Sequence, residues 1–528
     1  MKKSKRLHKK YLALSIAAAF LGAAQLSAAV AFAQPDNLQM LGRVRPGSAQ
    51  TSFTRMFPEL PPFAEATDAV REQARRLGEI GGIMDAKDNL SDPVQSVTNP
   101  AVFSPNNLDN PNMTAGVTFF GQFLDHDITF DPKSNLFAVS NPNTTTNFRT
   151  PAFDLDSVYG GGPENSPDLY DTSSGDILFR IEAIPGSEAV SRKGATRYDV
   201  PREESGQAII AEGRNDENTV ISQFQLAMLR FHNAVSAQVR AAHADWSSEE
   251  VFERAQRMVR WHYQWIIVHE FLPLTIGQER VTSFLNDRKK IQHPRIPIEF
   301  SVAAYRFGHS QVRPSYRLNF GPDGGPAFFA FVFNDNIDPT DPDPKDLRGG
   351  KRAARRFVDW QTFFVLDTTS VRNNKRIDTK ISSVLMQLPG SRGPAPGLPS
   401  DGVQSLASRN LMRHVNFGLP SGQAVAARLG LPALSQTQLS ELAPYGMDSS
   451  TPLWYYVLKE AEVMENGLRL GPVGGYIVGK VFTDLLKADK TSYIAAKPHW
   501  TPVFPSATPG DFRITDLLKF AGVVPPLQ

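Results

Sequence analysis

Ten histidines occur in the 528-residue sequence, and two of them keep company that suits acid–base or redox chemistry. In residues 121–127 (GQFLDHD), Gln122 and His126 lie four positions apart, so a helix projects both from one face. The neighbours are apolar, and Asp125 and Asp127 flank the imidazole. Such a face suits a small polar reactant held over an apolar cofactor. Near neutral pH an imidazole can take a proton from one oxygen of a peroxide and give it to the other. The structural alternative is a helix C-terminus with a favourably placed His and solvated aspartates. His309 closes residues 304–309 (AYRFGH), where Gly308 allows the close backbone approach that a planar macrocycle requires. The other histidines, taken singly, read as satisfied core residues.

A third group offers hard oxygen ligands. Residues 150–156 (TPAFDLD) place oxygen-bearing side chains at alternate positions, which point the same way in an extended loop. With Asp127 they offer carboxylate, hydroxyl and carbonyl oxygens to a cation such as calcium. A capping-and-turn segment is the alternative. Residues 338–352 (DPTDPDPKDLRGGKR) read as a solvated acidic turn, since their prolines and glycine positions exclude an EF-hand.

Helices must position these groups. Val117, Phe120 and Leu124 share a helical face, and Phe224, Met228, Phe231 and Val235 follow at steps of four, three and four. The segment from Ser247 opens with a Ser/Glu helix start and runs on into an apolar, aromatic half that reads as a buried central helix. Strand-like alternation is scarce, and a further helix is expected around 452–466. The reading divides the chain into a leader (1–33), an N-terminal arm on the main body (34–108, helical from Ala64 to Ile80) and a catalytic domain (109–528).

The leader has a basic stretch from Lys2 to Lys10, an apolar run from Tyr11, and a small-x-small triplet at Ala31-Phe32-Ala33. Gln25 and Ser27 interrupt the run, which favours cleavage near Gln34 over an uncleaved anchor. Secretion or a periplasmic location follows, with no membrane span after cleavage. Without the six basic leader residues the chain carries 50 basic against 54 acidic residues, so no nucleic-acid footprint remains. The absence of cysteine excludes thiolate-held zinc, iron–sulfur clusters and thiolate-ligated haem. A large cysteine-free secreted chain fits a bacterial source.

Taken in order, these segments resemble the animal-type haem peroxidase superfamily (the myeloperoxidase-, lactoperoxidase- and peroxidasin-like enzymes). FGQFLDHDITFDP resembles the distal-helix motif, and TPAFDLDSVYG the calcium loop. EGRNDENTVISQFQLAMLRFHN resembles the catalytic-arginine segment, with Arg214 the family's 19 residues before Asn233. AAYRFGHS resembles the proximal motif, and RNLMRHVNFGLP the Asn-x-x-Arg segment. The resemblance spans residues 113 to 420. It implies a mainly α-helical fold enclosing a buried haem b, with little sheet. It also implies that hydrogen peroxide is reduced through a ferryl state and that small electron donors (halide, pseudohalide or phenol) are oxidised.

Residue by residue, the resemblance makes His126 the distal acid–base and Gln122 the group that orients peroxide or halide. Arg214 becomes the arginine that stabilises charge on the departing oxygen. His309 becomes the axial iron ligand, Asn410 its hydrogen-bonding partner, and Arg413 a partner of a haem propionate. Arg306 stands three before the proximal histidine, as in the peroxidases. Asp125 and Glu217 match the carboxylates that esterify haem in this family. Asp127, Thr150, Asp154, Asp156 and the Ala152 carbonyl would hold Ca²⁺. Three positions depart from the pattern. Asn218 replaces a sulfonium-forming Met, which argues against chloride as donor; Asp156 stands where Ser is usual; Ala152 replaces an aromatic. The rival enzyme is a haem-dependent fatty-acid dioxygenase of the same superfamily (cyclooxygenase-like, linoleate diol synthase-like), which carries Tyr where Arg306 stands. The non-enzymatic rival is a secreted matrix or adhesion protein on a degenerate peroxidase scaffold, which should have lost His126, Arg214 or His309.

Overall fold

Where apolar residues recur every three or four positions, the chain is helical. The computed structural model describes residues 51–287, 294–334, 341–350, 353–366, 371–388 and 402–524; the leader and the start of the arm lie outside them. The main helices are α1 (Asp68–Leu77), α2 (Ala115–Ile128), α3 (Thr219–Ala242), α4 (Ser248–Ile266), α5 (Leu406–Asn416), α6 (Leu453–Glu465) and α7 (Pro472–Ala488). Among the described residues the strands are short and pair only in twos; the longest pairings, both antiparallel, are β1 (Asp109–Thr114) with β4 (Asn373–Lys375) and β2 (Ser315–Asn319) with β3 (Phe328–Phe331). The fold is mainly α, as expected. Among the described residues no helix is long and apolar enough to cross a membrane.

Side-chain caps fix where the long helices start. The Asn218 side chain accepts from the Val220 and Ile221 amides and opens α3. Ser247 and Glu250 form a reciprocal capping box at α4. Instead of ending at Ile266, α4 passes through a π-helical turn (Ile267–Phe271) into a further helical turn, Leu272–Ile276, with Pro273 near its start.

The core lies where α2, α3 and α4 meet. Phe120 and Phe123 of α2 pack on Phe224 of α3 at ring separations of 5.6 and 5.2 Å, and Tyr263 of α4 meets Phe123 at 6.2 Å. All four rings are fully buried. Truncating one of these phenylalanines to Ala would cost about 3–5 kcal/mol. The start of α2 is pinned from outside, with the Ala115 and Gly116 amides donating to the Arg372 and Phe363 carbonyls.

The arm is part of this core. Phe53, Phe57, Phe63, Leu77 and Met84 are buried in it. Helix α1 lies on α5: the Ser408 hydroxyl donates to the Arg75 carbonyl at 2.6 Å, and Arg71 Nε donates to Asn416 Oδ1 at 2.8 Å. The acidic segment departs from the solvated turn expected of it. Of its residues, 341–350 are described, and Asp346 and Leu347 are fully buried. Two ladder contacts draw it in: the Leu347 amide donates to the Phe331 carbonyl, and the Thr219 amide to the Leu347 carbonyl.

Candidate active site

His126 lies in the last turn of α2 and is 5% exposed. Its Nδ1 meets Asn215 Oδ1 at 2.8 Å. The Asn215 amide nitrogen donates to Gln225 Oε1 at 2.9 Å, so the asparagine oxygen is the atom facing the imidazole. The proton therefore sits on Nδ1, and Nε2 keeps a free lone pair. Burial, with Arg214 adding to it, lowers the His126 pKa to about 3, so the ring is a neutral acceptor at ordinary pH. One turn earlier, Gln122 donates to Glu217 Oε1. Burial raises the Glu217 pKa to about 8, against the pull of Arg214, and burial also raises that of Asp125.

The Glu217 segment is clamped by residues 341–350. The Gly349 amide donates to the Glu217 carbonyl at 3.1 Å. A Cβ at Gly349 would stand 1.5 Å from the Asp216 carbonyl oxygen, so only glycine permits this approach.

His309 comes from a less regular segment: a π turn (Glu299–Ala303), a 3₁₀ turn (Ala304–Phe307) and a single helical turn (Gly308–Gln311). Burial lowers its pKa to about 3, with Arg306 adding to the effect, so this imidazole too is neutral. Asn410 of α5 stands beside it, with its Nδ2 donating to His309 Nδ1 at 2.7 Å. His309 Nδ1 is thus the acceptor, the reverse of the arrangement that suits an imidazole ligating a metal through Nε2. The cause is Arg306, which has only donors and takes the amide oxygen through Nη1 at 2.7 Å.

Both histidines line one cavity of about 280 Å³, together with Gln122, Gly308 and a mostly apolar wall that includes Val117, Phe271 and Leu385. A Cβ at Gly308 would meet nothing within 4 Å, so the glycine leaves open space beside His309. Tyr305 also faces this cavity; its hydroxyl donates to the Gly121 carbonyl at 3.0 Å. A second cavity, of about 210 Å³, adjoins the first at Asp125, Glu217, Ser301 and Arg306, and is lined by Arg214 and Arg413. Arg214 is thus one cavity away from the imidazole face of His126. Its guanidinium holds Glu212 and, through Nη2, the carbonyls of His126 at 3.2 Å and Thr129 at 2.6 Å, above the Phe130 ring.

Three carboxylates of the expected oxygen-rich set come together. Carboxylate oxygens of Asp127, Asp154 and Asp156 lie within 4.8 Å of one another. Asp127 accepts from the Ser157 hydroxyl at 2.7 Å and from the Tyr263 hydroxyl at 3.1 Å. Asp156 Oδ2 takes the Thr150 amide and hydroxyl, whereas Oδ1 is buried with no hydrogen-bond donor. Burial first, then mutual repulsion, raises the pKa of Asp127 to about 7 and that of Asp154 well above its ordinary value.

Sequence reasoning missed Asn215, Glu212, Arg149 and Tyr263. Arg149 had a local signal: a lone arginine directly before a loop of carboxylates is a charge partner in waiting.

Comparison with known proteins sets this geometry in a lineage. The animal haem peroxidase family matches residues 133–493, which include the 150–156 loop, Arg214, Glu217, His309, Asn410 and Arg413. The chain is 27% identical to chorion peroxidase of Drosophila melanogaster over 299 residues, covering 54% of this chain and 34% of that protein. It is 26% identical to human thyroid peroxidase over 196 residues, covering 34% of this chain and 21% of that protein. These matches span only about a fifth to a third of the relatives' lengths. Among solved structures, Dictyostelium discoideum peroxidase A aligns with TM-score 0.53 at 18% identity, over 84% of this chain and 92% of that one. Oryza sativa fatty acid alpha-dioxygenase aligns with TM-score 0.57 at 13% identity, over 94% and 84%, a likeness of fold alone. With more than half of the chain matched in one stretch, the protein belongs to the animal haem peroxidase family.

Proposed function

We propose that this protein is a secreted haem peroxidase that reduces hydrogen peroxide and oxidises small donors, with bromide, iodide, thiocyanate and phenols favoured over chloride. One observation carries the reading: two neutral imidazoles from different elements line one mostly apolar cavity, and the proton of His126 is held on Nδ1 by Asn215. The cavity suits haem b. Its wall is mostly apolar, Gly308 leaves room for a flat group, and Arg306 and Arg413 line the adjoining space where propionates would need cations. Asp125 and Glu217, at the junction of the two cavities, are the candidate ester residues.

When bound, haem would supply the electrons that cleave the peroxide O–O bond and recover them from the donor. His309 would hold its iron through Nε2. His126 Nε2 takes the proton from the near peroxide oxygen and returns it to the far one, which leaves as water. Gln122 orients peroxide or halide beside it. Arg214 places positive charge behind the distal helix and anchors the His126 carbonyl. Calcium suits the Asp127, Thr150, Ala152, Asp154 and Asp156 loop, where buried carboxylates crowd together and one buried oxygen lacks a donor. The leader read in residues 1–33 supports secretion.

The test is the haem-loaded protein with hydrogen peroxide against bromide, iodide, thiocyanate and a phenol, beside His126→Ala. Loss of the base should cost about 10²- to 10⁴-fold in the reaction with peroxide while the Soret band stays. A variant as fast as the parent would overturn the assignment.

The position of Tyr305 in the same cavity favours a second reading, a fatty-acid dioxygenase. Against it stands Arg306, not tyrosine, three residues before His309. Oxygen uptake with linoleate in the absence of peroxide would establish the second reading.

A further inference from the structure

Behind the distal helix, buried charges alternate in sign. Asp156 Oδ1 faces Arg149 Nη1 at 3.5 Å, close enough for attraction, yet neither atom makes a hydrogen bond. Arg149 turns its other nitrogens toward Glu212: Nε donates to Oε2 at 2.7 Å, and Nη2 is ion-paired with the same oxygen at 2.5 Å while donating to the Ala211 carbonyl at 3.2 Å. Glu212 in turn holds Arg214 through the backbone amide at 2.9 Å, Nε at 3.0 Å and Nη2 at 3.0 Å. Arg214 then reaches the His126 carbonyl. The side chains of Arg149, Asp156 and Glu212 are at most 3% exposed.

The chain of contacts nearly closes on itself. From the His126 carbonyl it runs through Arg214, Glu212, Arg149 and Asp156 and arrives opposite Asp127, which is the residue after His126. The remaining gap, between Asp156 and Asp127, is the one place where like charges meet, and it is the cation loop.

We propose that Arg149 and Glu212 are positioning residues that couple occupancy of the cation loop to the placement of Arg214 and His126. A divalent cation completes the ring, so His126 is tethered through its own carbonyl on one side and through Asp127 on the other. Glu212 has a second task. By drawing Arg149 onto itself, it leaves Asp156 Oδ1 open to a cation. Burial pushes the Glu212 carboxyl up, but Arg149 and Arg214 together hold it well below the ordinary range, so this pull is present at all working pH. The inference rests on the calcium reading of the loop.

Two opposed effects test it. In Glu212→Gln, Arg149 loses its anionic partner and turns to Asp156, competing with the cation, while Arg214 loses its anchor. Calcium affinity, measured by calorimetry on the haem-loaded protein, should fall by about tenfold, within the range of ordinary coupling between sites. Hydrogen cyanide must give up its proton to bind ferric haem, so its association rate reports the distal base without turnover; it should slow by about fivefold or more. In Arg149→Met with Glu212→Gln the competing cation is gone. Calcium affinity should return to the parent value or better, while cyanide association stays slow. The double variant removes both buried charges together and leaves neither stranded, so it also decides the matter should Glu212→Gln fail to fold.

Calcium affinity and cyanide rate both unchanged in the double variant would overturn the coupling. So would a folded Glu212→Gln that binds calcium as the parent does. A parent protein that binds no calcium would overturn the reading beneath the inference, and the inference with it.

Discussion

The two histidines of the cavity are held by different kinds of backbone. His126 rides on a regular 14-residue helix. His309 ends a run of π, 3₁₀ and single-turn helix in which no stretch repeats for more than five residues. On the distal side the helix repeat sets which side chains face the cavity. On the proximal side the position is imposed from far away in sequence. The buried Glu299 carboxylate accepts from the Met56 and Phe57 amides of the arm, Trp454 Nε1 donates to the Arg306 carbonyl at 3.1 Å, and the Ser310 hydroxyl donates to the Asp378 carbonyl at 2.7 Å. A regular helix can place an acid–base group. The group that would meet a cofactor on the proposed reading is instead pinned by several distant segments.

The largest contrast between the walls should appear on removing each imidazole. His309→Ala should abolish stable haem binding, read as a missing Soret band after reconstitution, whereas His126→Ala should keep the band. Equal haem retention in both would remove the distinction. A smaller contrast involves one glycine from each wall. A Cβ at Gly116 of α2 would stand 2.3 Å from the Phe364 ring, so Gly116→Ala should cost about 1–3 kcal/mol of stability, seen as a lower Tm with or without haem. A Cβ at Gly308 enters open cavity, so Gly308→Ala should leave the haem-free Tm unchanged and weaken haem binding by about tenfold, the size of a modest overpacking penalty. A fall in haem-free Tm for Gly308→Ala would show that the glycine serves packing instead.

The smallest effect is one of pH. In its proposed role His126 would act as a base only when neutral, and its pKa is lowered to about 3. The rate constant with peroxide should therefore stay level from pH 7 to about 4 and drop only on approach to 3. One contribution to stability is lost sooner. The pKa values of His126, His232, His309 and His414 are each lowered to about 3, so at these sites the unfolded chain binds more protons below about 6.5 and their contribution falls with pH from there, opposed by buried carboxylates such as Glu217 and Glu270 whose pKa is raised. A pH jump read within milliseconds separates the two. A break in the rate near 6.5 in that experiment would refute the neutral, Asn215-bound state.

Much of the distal wall was legible because its signals are local. The apolar spacing of Val117, Phe120 and Leu124, the pairing of Gln122 with His126, and the Ser247/Glu250 cap each lie within one or two turns. The alternating oxygens of residues 150–156 were legible for the same reason. What escaped were partners joined across long stretches of chain: Asn215 against His126, Arg149 against Glu212, Tyr263 against Asp127. Residues 341–350 look solvated by composition, yet Asp346 is buried because Arg348 pairs with it and Asn334 donates to it. Arg214 fell between these cases. Its importance showed in its motif, but its side chain follows Glu212 and two carbonyls, which no local spacing announces.

Asn410 has a consequence for how the protein is assembled. Its one oxygen is claimed by Arg306, so it offers His309 a donor, while an imidazole that ligates iron through Nε2 carries its proton on Nδ1 and needs an acceptor there. The two demands are reconciled only if Arg306 finds another anion and the amide turns over. A propionate is such an anion. If His309 holds the haem iron as proposed, an acidic edge of the cofactor would have to draw Arg306 away before His309 Nδ1 could find its acceptor, and a porphyrin lacking its carboxylates would be held loosely.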